Sequence, residues 1–337
     1  MHKESLKEWL SLSEKTRLNV FTEISRKIGI PEIAIEKDWW VVLSLDIIFS
    51  MKTAQHTVFK GGTSLSKAWG LIQRFSEDID LSLDREFLGF KRDLSKTQVA
   101  KLRKESFKYF TGEFLNNLKE KFSKAGFEKL EIRPREVSAN DMDPVTIEIL
   151  YPALTEDSSY LRPKILIEIG SRSLTEPYSV KNFSSFVGEH FKGQAFADKP
   201  VSIPTVNPER TFLEKVFLLH EEFIKPVGKE KVIRLSRHLY DIEKLIETGY
   251  AEKAIRDNEL YNTIVEHRKK ITPVRGIDYN SHSMDKVCFI PPDNLLNEWE
   301  NDYKSMQENM IYGSSLPFNQ LISKLKEFNH KINNLNS

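Results

Sequence analysis

Asp78-Ile79-Asp80 places two carboxylates two positions apart at the head of an alternating stretch that ends at Leu83. The alternation predicts a β-strand over 79–83, and on a strand residues i and i+2 project from one face. Two like charges held that close are costly unless a cation lies between them. Hard carboxylate oxygens suit Mg²⁺, which commonly binds through one or two carboxylates and completes its shell with substrate phosphates. The spacing alone also fits two solvent-facing acids on an amphipathic strand, so the sequence upstream matters. A β-prone run at 56–60 leads into Gly61-Gly62-Thr63-Ser64, and residues 64–73 carry a helical pattern. Glycines between a strand and a helix let backbone approach a ligand closely, and the helix start offers N–H groups to an anion. Alone, Gly-Gly-Thr also fits an ordinary turn. Joined to Asp-x-Asp by one helix, it puts phosphate donors and metal ligands at the same end of a strand–loop–helix–strand unit.

The rest of the chain supplies a frame for that unit. Helical spacing of Leu6, Trp9, Leu10, Leu18, Phe21, Ile24 and Ile28 predicts one helix over 5–28, stopped by Gly29. Pro31 opens a second helix running to about residue 49. Residues 95–125 read as helical, and strands are expected at 130–135, 145–151 and 164–169. Pro144, Pro152 and Pro163 punctuate them, as suits strand edges or ends. From Pro208 onward the pattern is mainly helical, clearest at 209–220, 235–247, 293–310 and 317–334. Prolines 200, 204 and 208 mark the best boundary, which predicts a core at 1–204 and a helical domain at 205–337. Only the last residues, 333–337, look unstructured.

Composition removes several classes of function. The single cysteine, Cys288, excludes an internal disulfide framework and a cysteine-rich zinc site, and fits a reducing compartment. The most apolar run, 39–49, carries Ser44 and Asp46 and is far shorter than the ~20 residues that span a bilayer. The first residues lack the apolar stretch of a signal peptide, so a cytoplasmic protein without membrane association is expected. Net charge is only +1, yet residues 91–136 hold thirteen Lys and Arg against seven Asp and Glu. Such a segment suits a polyanion or a solvated helix face. His220, His238 and His267 are too dispersed for a metal site and read as structural.

Two acids compete to join Asp78 and Asp80: Glu148 in Thr-Ile-Glu-Ile-Leu and Glu168 in Ile-Leu-Ile-Glu-Ile-Gly. Glu168 is preferred, because its flanks are more continuously apolar and Gly170 marks a strand end there. The stretch from Gly62 to Asp80 resembles the signature of polymerase-β-type nucleotidyltransferases, in which a third carboxylate follows on a later strand. Several blocks narrow the resemblance: Glu36-Lys37-Asp38-Trp39-Trp40, Gly61-Gly62-Thr63-Ser64-Leu65, and Arg74-Phe75-Ser76-Glu77-Asp78-Ile79-Asp80-Leu81. Pro208-Glu209-Arg210-Thr211-Phe212-Leu213-Glu214-Lys215 and Arg237-His238-Leu239-Tyr240-Asp241-Ile242 follow, and the closing stretch 299–310 agrees. Together they resemble the AbiEii abortive-infection toxin family, which includes the mycobacterial MenT nucleotidyltransferase toxins. One departure is His238, where the MenT-like motif often has Asp.

The resemblance implies an α+β fold: a polymerase-β-like core with a mixed sheet, N-terminal helices and a C-terminal helical domain. It implies transfer of a nucleoside monophosphate from an NTP to an acceptor hydroxyl, with pyrophosphate released. Two Mg²⁺ ions ~3.5–4 Å apart would be held by Asp78, Asp80 and Glu168. Gly61, Gly62, Thr63, Ser64, Lys67, Arg74 and Ser76 are the implied nucleotide-binding residues, with Thr63 and Ser64 giving hydroxyls to the triphosphate. Lys215 would neutralise triphosphate charge, and Asp241 would position Lys215 or touch the nucleotide. RNA is the implied acceptor, the tRNA 3′ end in MenT members, with 91–135 and 225–237 as basic candidates for its backbone. A separately encoded antitoxin, which need not touch the toxin, is the implied partner. The competing reading is an NTP-binding regulatory module without turnover. A kinase-like toxin ranks last, because the Gly-rich loop and His-Arg-Asp signature of protein kinases are missing.

Overall fold

The computed structural model describes residues 3–76, 78–91, 93–135, 142–156, 161–173, 177–226 and 231–335. Glu77, Arg92 and Lys229 of the segments singled out above lie outside the described residues, as do 336 and 337. The chain divides into two compact units. One comprises Met1–Ala68 and Phe75–Val206, and the other Trp69–Arg74 and Asn207–Ser337.

The first unit is built on a seven-stranded mixed sheet. Its strands are β1 (Thr57–Lys60), β2 (Asp78–Leu83), β3 (Glu131–Pro134), β4 (Val145–Leu150), β5 (Lys164–Gly170), β6 (Tyr178–Phe183) and β7 (Val201–Val206), in the spatial order β3-β4-β5-β2-β1-β7-β6. β2 runs parallel to β5 and β1 parallel to β7, and the other neighbours are antiparallel. Residue parity divides the central strands into two faces. Ile79, Leu81, Ile147, Ile149, Ile165, Ile167 and Ile169 are all buried, whereas Asp78, Asp80, Thr146, Leu166 and Glu168 on the other face are half-buried. A one-residue slip would exchange these faces, so burial of the isoleucine face fixes the register. Helices Glu32–Ile48 and Leu115–Lys124 pack on β5, on β3 and on each other, and so close the isoleucine face. The acid-bearing face is the more open of the two: Asp78, Asp80, Thr146 and Glu168 keep partial exposure, although Ser82 and Glu148 on it are buried.

Three local departures from the expected elements have physical causes. The single helix expected over 5–28 is two, Lys3–Ser11 and Glu14–Ile28. Ser13 is extended and its hydroxyl accepts the Thr16 N–H, which starts a new helix. The helix expected over 64–73 ends at Ala68. A turn at Gly61–Thr63 runs into a wider π-type turn at Ser64–Ala68, and Gly70 follows at φ +64°. Strands β6 and β7 were not expected, because Pro200, Pro204 and Pro208 read as a boundary. Pro204 nevertheless sits inside β7, opposite Val180 of β6. The ladder from β7 to β1 is short, pairing at Phe59↔Thr205, so one missing N–H is tolerated there. Pro144, Pro152 and Pro163 fall just outside strand ends.

The second unit is helical: Pro208–Phe223, Ser236–Glu247, Tyr250–Arg256, Asn258–Ile271, Leu296–Asn309 and Phe318–Asn333. The helices Tyr250–Arg256 and Asn258–Ile271 were not foreseen. Asn333, expected in an unstructured tail, closes the last helix. No described helix is long and apolar enough to cross a membrane.

Candidate active site

Strand register brings the acids together. Asp80 pairs with Glu168 across the parallel β2–β5 ladder, and Asp78 pairs with Leu166. Extending the rows sideways, Lys60, Asp80, Glu168 and Thr146 lie across four neighbouring strands on the open face. Asp78 lies two residues along β2 on that same face. Glu148 shares the face but sits opposite Leu166, so one strand intervenes between it and Asp78. At ~4.8 Å per strand that separation is ~10 Å. Glu148 is also engaged elsewhere, 2.9 Å from Lys164 and 3.7 Å from Arg133.

The glycine turn is fitted to Asp80. Gly61 has φ +78°, and a Cβ there would overlap the Asp80 carboxylate. Both the backbone conformation and the close approach therefore demand glycine. Gly61→Ala should strain the turn, push Asp80 aside and lower both stability, by ~1–3 kcal/mol, and transfer activity. A melting curve and a transfer assay on the variant check this, and wild-type values in both would refute the fitted contact.

The hydroxyls after the glycines point inward. Thr63 Oγ1 donates to the Asp78 carbonyl and lies 3.0 Å from Ser76 Oγ, and Ser64 Oγ donates to the Gly61 carbonyl at 2.8 Å. Both side chains are buried. They tie the glycine turn to β2 and leave the expected hydroxyl contacts to a triphosphate without donors. Lys67 also departs from its expected role. Its ammonium is buried 2.9 Å from Asp38 and 3.7 Å from Glu189, 4.2 Å above the Phe186 ring. Its first partner in the structure is thus the Asp38 carboxylate.

Asp38 belongs to the Glu36-Lys37-Asp38 triplet, and the structure shows what that triplet does. All three side chains are buried in helix Glu32–Ile48. Glu36 accepts the Leu154 and Thr155 amides and the Thr155 hydroxyl. Lys37 donates to the Arg162 carbonyl at 3.0 Å, and Asp38 accepts the Phe186 amide at 2.7 Å. Burial lifts the Asp38 carboxyl to about 6 against the pull of Lys67 and the Phe186 amide. Three consecutive charges in an apolar helix were the sequence signal, and no role was read from it.

The remaining candidates lie in the second unit. Arg74 Nε and Nη2 donate to the two Asp241 oxygens, each at 2.7 Å, and Lys215 Nζ lies 2.8 Å from Asp241 Oδ2. Arg74 is 2% exposed and Asp241 0%. Helices Pro208–Phe223 and Ser236–Glu247 supply Lys215 and Asp241, and Arg74 comes from the short stretch Trp69–Arg74. Burial opposes ionisation of Asp241, yet Arg74 and Lys215 hold its carboxyl well below the usual range. Burial, then Lys215 and Arg237, push His238 well below the ordinary histidine range. A neutral His238 accepts from Lys215 through Nδ1 at 3.4 Å. His238, set aside as structural, thus touches Lys215.

The profile of the family described as "Nucleotidyl transferase AbiEii toxin, Type IV TA system" matches residues 48–332. The chain belongs to this family. It is accordingly placed among the nucleotidyltransferase toxins of type IV toxin–antitoxin systems. Among solved structures it is similar to MenT4, a nucleotidyltransferase toxin from Mycobacterium tuberculosis, with 16% identity and a TM-score of 0.47 over 93% of this chain and 97% of that one. It is also similar to JHP933 from Helicobacter pylori, with 14% identity and a TM-score of 0.42 over 90% and 93%. No curated protein matches the sequence significantly.

Within this AbiEii chain the donor set is all hard oxygen. Among the described residues no three His, Cys, Asp or Glu side chains are gathered closely enough to hold a metal ion by themselves. Asp78, Asp80 and Glu168 are therefore not, as they stand, a closed three-carboxylate site; Mg²⁺ takes one or two carboxylates and draws its other oxygens from phosphates and water. Asp80 beside Glu168, with Asp78 on the same open face and a bare Gly61 Cα against Asp80, fits such a substrate-completed site.

Proposed function

We propose that this chain is an NTP-dependent, Mg²⁺-dependent nucleotidyltransferase that adds a nucleoside monophosphate to an RNA hydroxyl, at a tRNA 3′ end, as the toxin of a cytoplasmic toxin–antitoxin or phage-defence pair. The observation that carries the reading is the pairing of Asp80 with Glu168 on the open face, against the glycine turn. Asp78, Asp80 and Glu168 would hold Mg²⁺, which supplies positive charge to the phosphates when bound. The turn would meet the triphosphate through backbone N–H groups, since the Thr63 and Ser64 hydroxyls are engaged inward. Glu168 is the carboxylate we assign to accept the proton of the attacking hydroxyl, or otherwise to complete the metal site. Lys215 is assigned to triphosphate charge. Asp241, fully buried between Arg74 and Lys215, is assigned to positioning them rather than to touching nucleotide. A separately encoded antitoxin is the partner this reading implies.

The test is incubation of the purified chain with each radiolabelled NTP, Mg²⁺ and total RNA. Label on RNA with one or two of the NTPs, lost on chelation, is expected. Tight NTP binding with no pyrophosphate released would instead establish a regulatory module without turnover.

A further inference from the structure

The open face carries cations as well as acids. β3 continues the rows that contain the catalytic candidates. Arg133 pairs with Glu148, and the Arg135 amide donates to the Thr146 carbonyl at 2.8 Å. Arg135 therefore extends the row Thr146–Glu168–Asp80, and Arg133 extends the row Glu148–Leu166–Asp78. Lys164 lies on β5, two residues before Leu166, next to the acid-bearing strand. All three cations project from the same face as Asp78 and Asp80, one to three strands away, or ~5–14 Å sideways.

Glu148 organises two of these cations. It is 10% exposed, 2.9 Å from Lys164 Nζ and 3.7 Å from Arg133 Nε, while Arg133 itself remains 54% exposed. Glu131, exposed, takes Arg133 Nη1 at 2.8 Å. Those two contacts leave guanidinium N–H groups of Arg133 to spare, since arginine carries five. Arg135 is exposed and makes no ion pair among the described residues. The acids hold the cations in place and do not cover them.

A second group of basic residues lies off these strand rows. Lys101, Lys104 and Lys108 are exposed on helix Lys96–Tyr109, which leads through Phe110–Phe114 into the helix closing the isoleucine face. An acceptor whose hydroxyl lies at Asp78 and Asp80 is on the open face and meets the β3 and β5 cations instead.

We propose that Arg133 and Lys164, aligned by Glu148, form with the exposed Arg135 a phosphodiester-binding track that leads a single-stranded RNA end across β3, β4 and β5 to the acids. The track rests on the reading of this chain as a nucleotidyltransferase with an RNA acceptor. It gives a distinct purpose to Glu148, which competed with Glu168 as the third acid. Backbone contacts of this kind are indifferent to sequence and weaken as salt rises.

The test compares two triple variants of equal charge change, Arg133→Ala/Arg135→Ala/Lys164→Ala and Lys101→Ala/Lys104→Ala/Lys108→Ala. Acceptor KM, NTP KM and kcat are read in the transfer assay, and affinity for a fluorescent single-stranded RNA is read by anisotropy from 50 to 200 mM salt. The track variant should raise acceptor KM and RNA Kd on the order of 10-fold and flatten the log–log salt slope by about 2. NTP KM should stay within about twofold, and the lysine variant should match the wild type in every reading. Equal effects of both variants, or none of the track variant, would overturn the track. Should no NTP label RNA, the transferase reading falls, and anisotropy alone still decides the track. Melting curves check folding. If the triple variant melts early, Arg135→Ala, which removes no described ion pair, carries the same comparison with an effect of about threefold.

Discussion

Asp80→Asn should abolish transfer and toxicity while leaving the fold intact. Asparagine matches aspartate in shape, so the contact with the bare Gly61 Cα and the place in the β2–β5 ladder survive. What disappears is one negative charge between Asp78 and Glu168. Loss of one preorganised electrostatic partner at a reacting centre costs about 10²–10³-fold in rate, and a metal ligand should reach at least the upper figure. Stability should hold or rise slightly, because the substitution relieves repulsion among acids on one face. Two measurements separate the outcomes: growth after induced expression, and a melting curve of the purified variant. A variant that melts like the wild type yet remains toxic would remove Asp80 from the chemistry and with it the metal role of the whole face.

Much of this site was legible because strand parity is rigid. The spacing of Asp78 and Asp80 alone put both carboxylates on one face, and the alternation that carried them is the one the isoleucine core enforces. Register was not legible. Glu148 and Glu168 sit in equally good β patterns, and only the ladder shows Glu168 opposite Asp80 and Glu148 one strand further out among Arg133 and Lys164. Hydroxyl and ammonium groups were misjudged for a related reason. Thr63, Ser64 and Lys67 have the right chemistry for phosphate, but the two hydroxyl protons go to the Asp78 and Gly61 carbonyls and the ammonium is paired with Asp38, partners distant or invisible in a local pattern. Proline hid β7, since a rule about ladder donors does not reveal that the neighbouring ladder is short. Ser13 divided the first helix because a hydroxyl that can cap competes with continuation, while the apolar spacing runs across it unchanged. At the other end, the identity of the unit that holds Arg74 was beyond sequence. Trp69–Arg74 falls within the core motif by number, yet it packs with Asn207–Ser337.

That placement makes Asp241→Ala the substitution with the largest expected cost in stability. The carboxylate neutralises two buried cations, accepting two bonds from Arg74 and lying 2.8 Å from Lys215. Removing it strands both, and breaking a buried pair by deleting one partner costs ~3–5 kcal/mol. Against a total of ~5–15 kcal/mol, the second unit should melt many degrees earlier. The pH dependence follows from the depressed carboxyl. Its contribution is fully present above the unfolded value of ~3.9 and is lost as pH falls through the lower folded value, so the gap in stability between wild type and variant should begin to narrow only below about pH 4 and keep narrowing as pH falls further. Replacing the whole cluster by apolar side chains, Arg74→Met/Lys215→Met/Asp241→Leu, should return most of the lost stability, since well-packed apolar substitutes for buried charges are often neutral or better. Transfer activity should not return with it. If Asp241→Ala melts with the wild type at pH 7, the cluster is not the support it looks like. If the apolar triple regains activity along with stability, Lys215 is scaffold and has no part in handling the triphosphate.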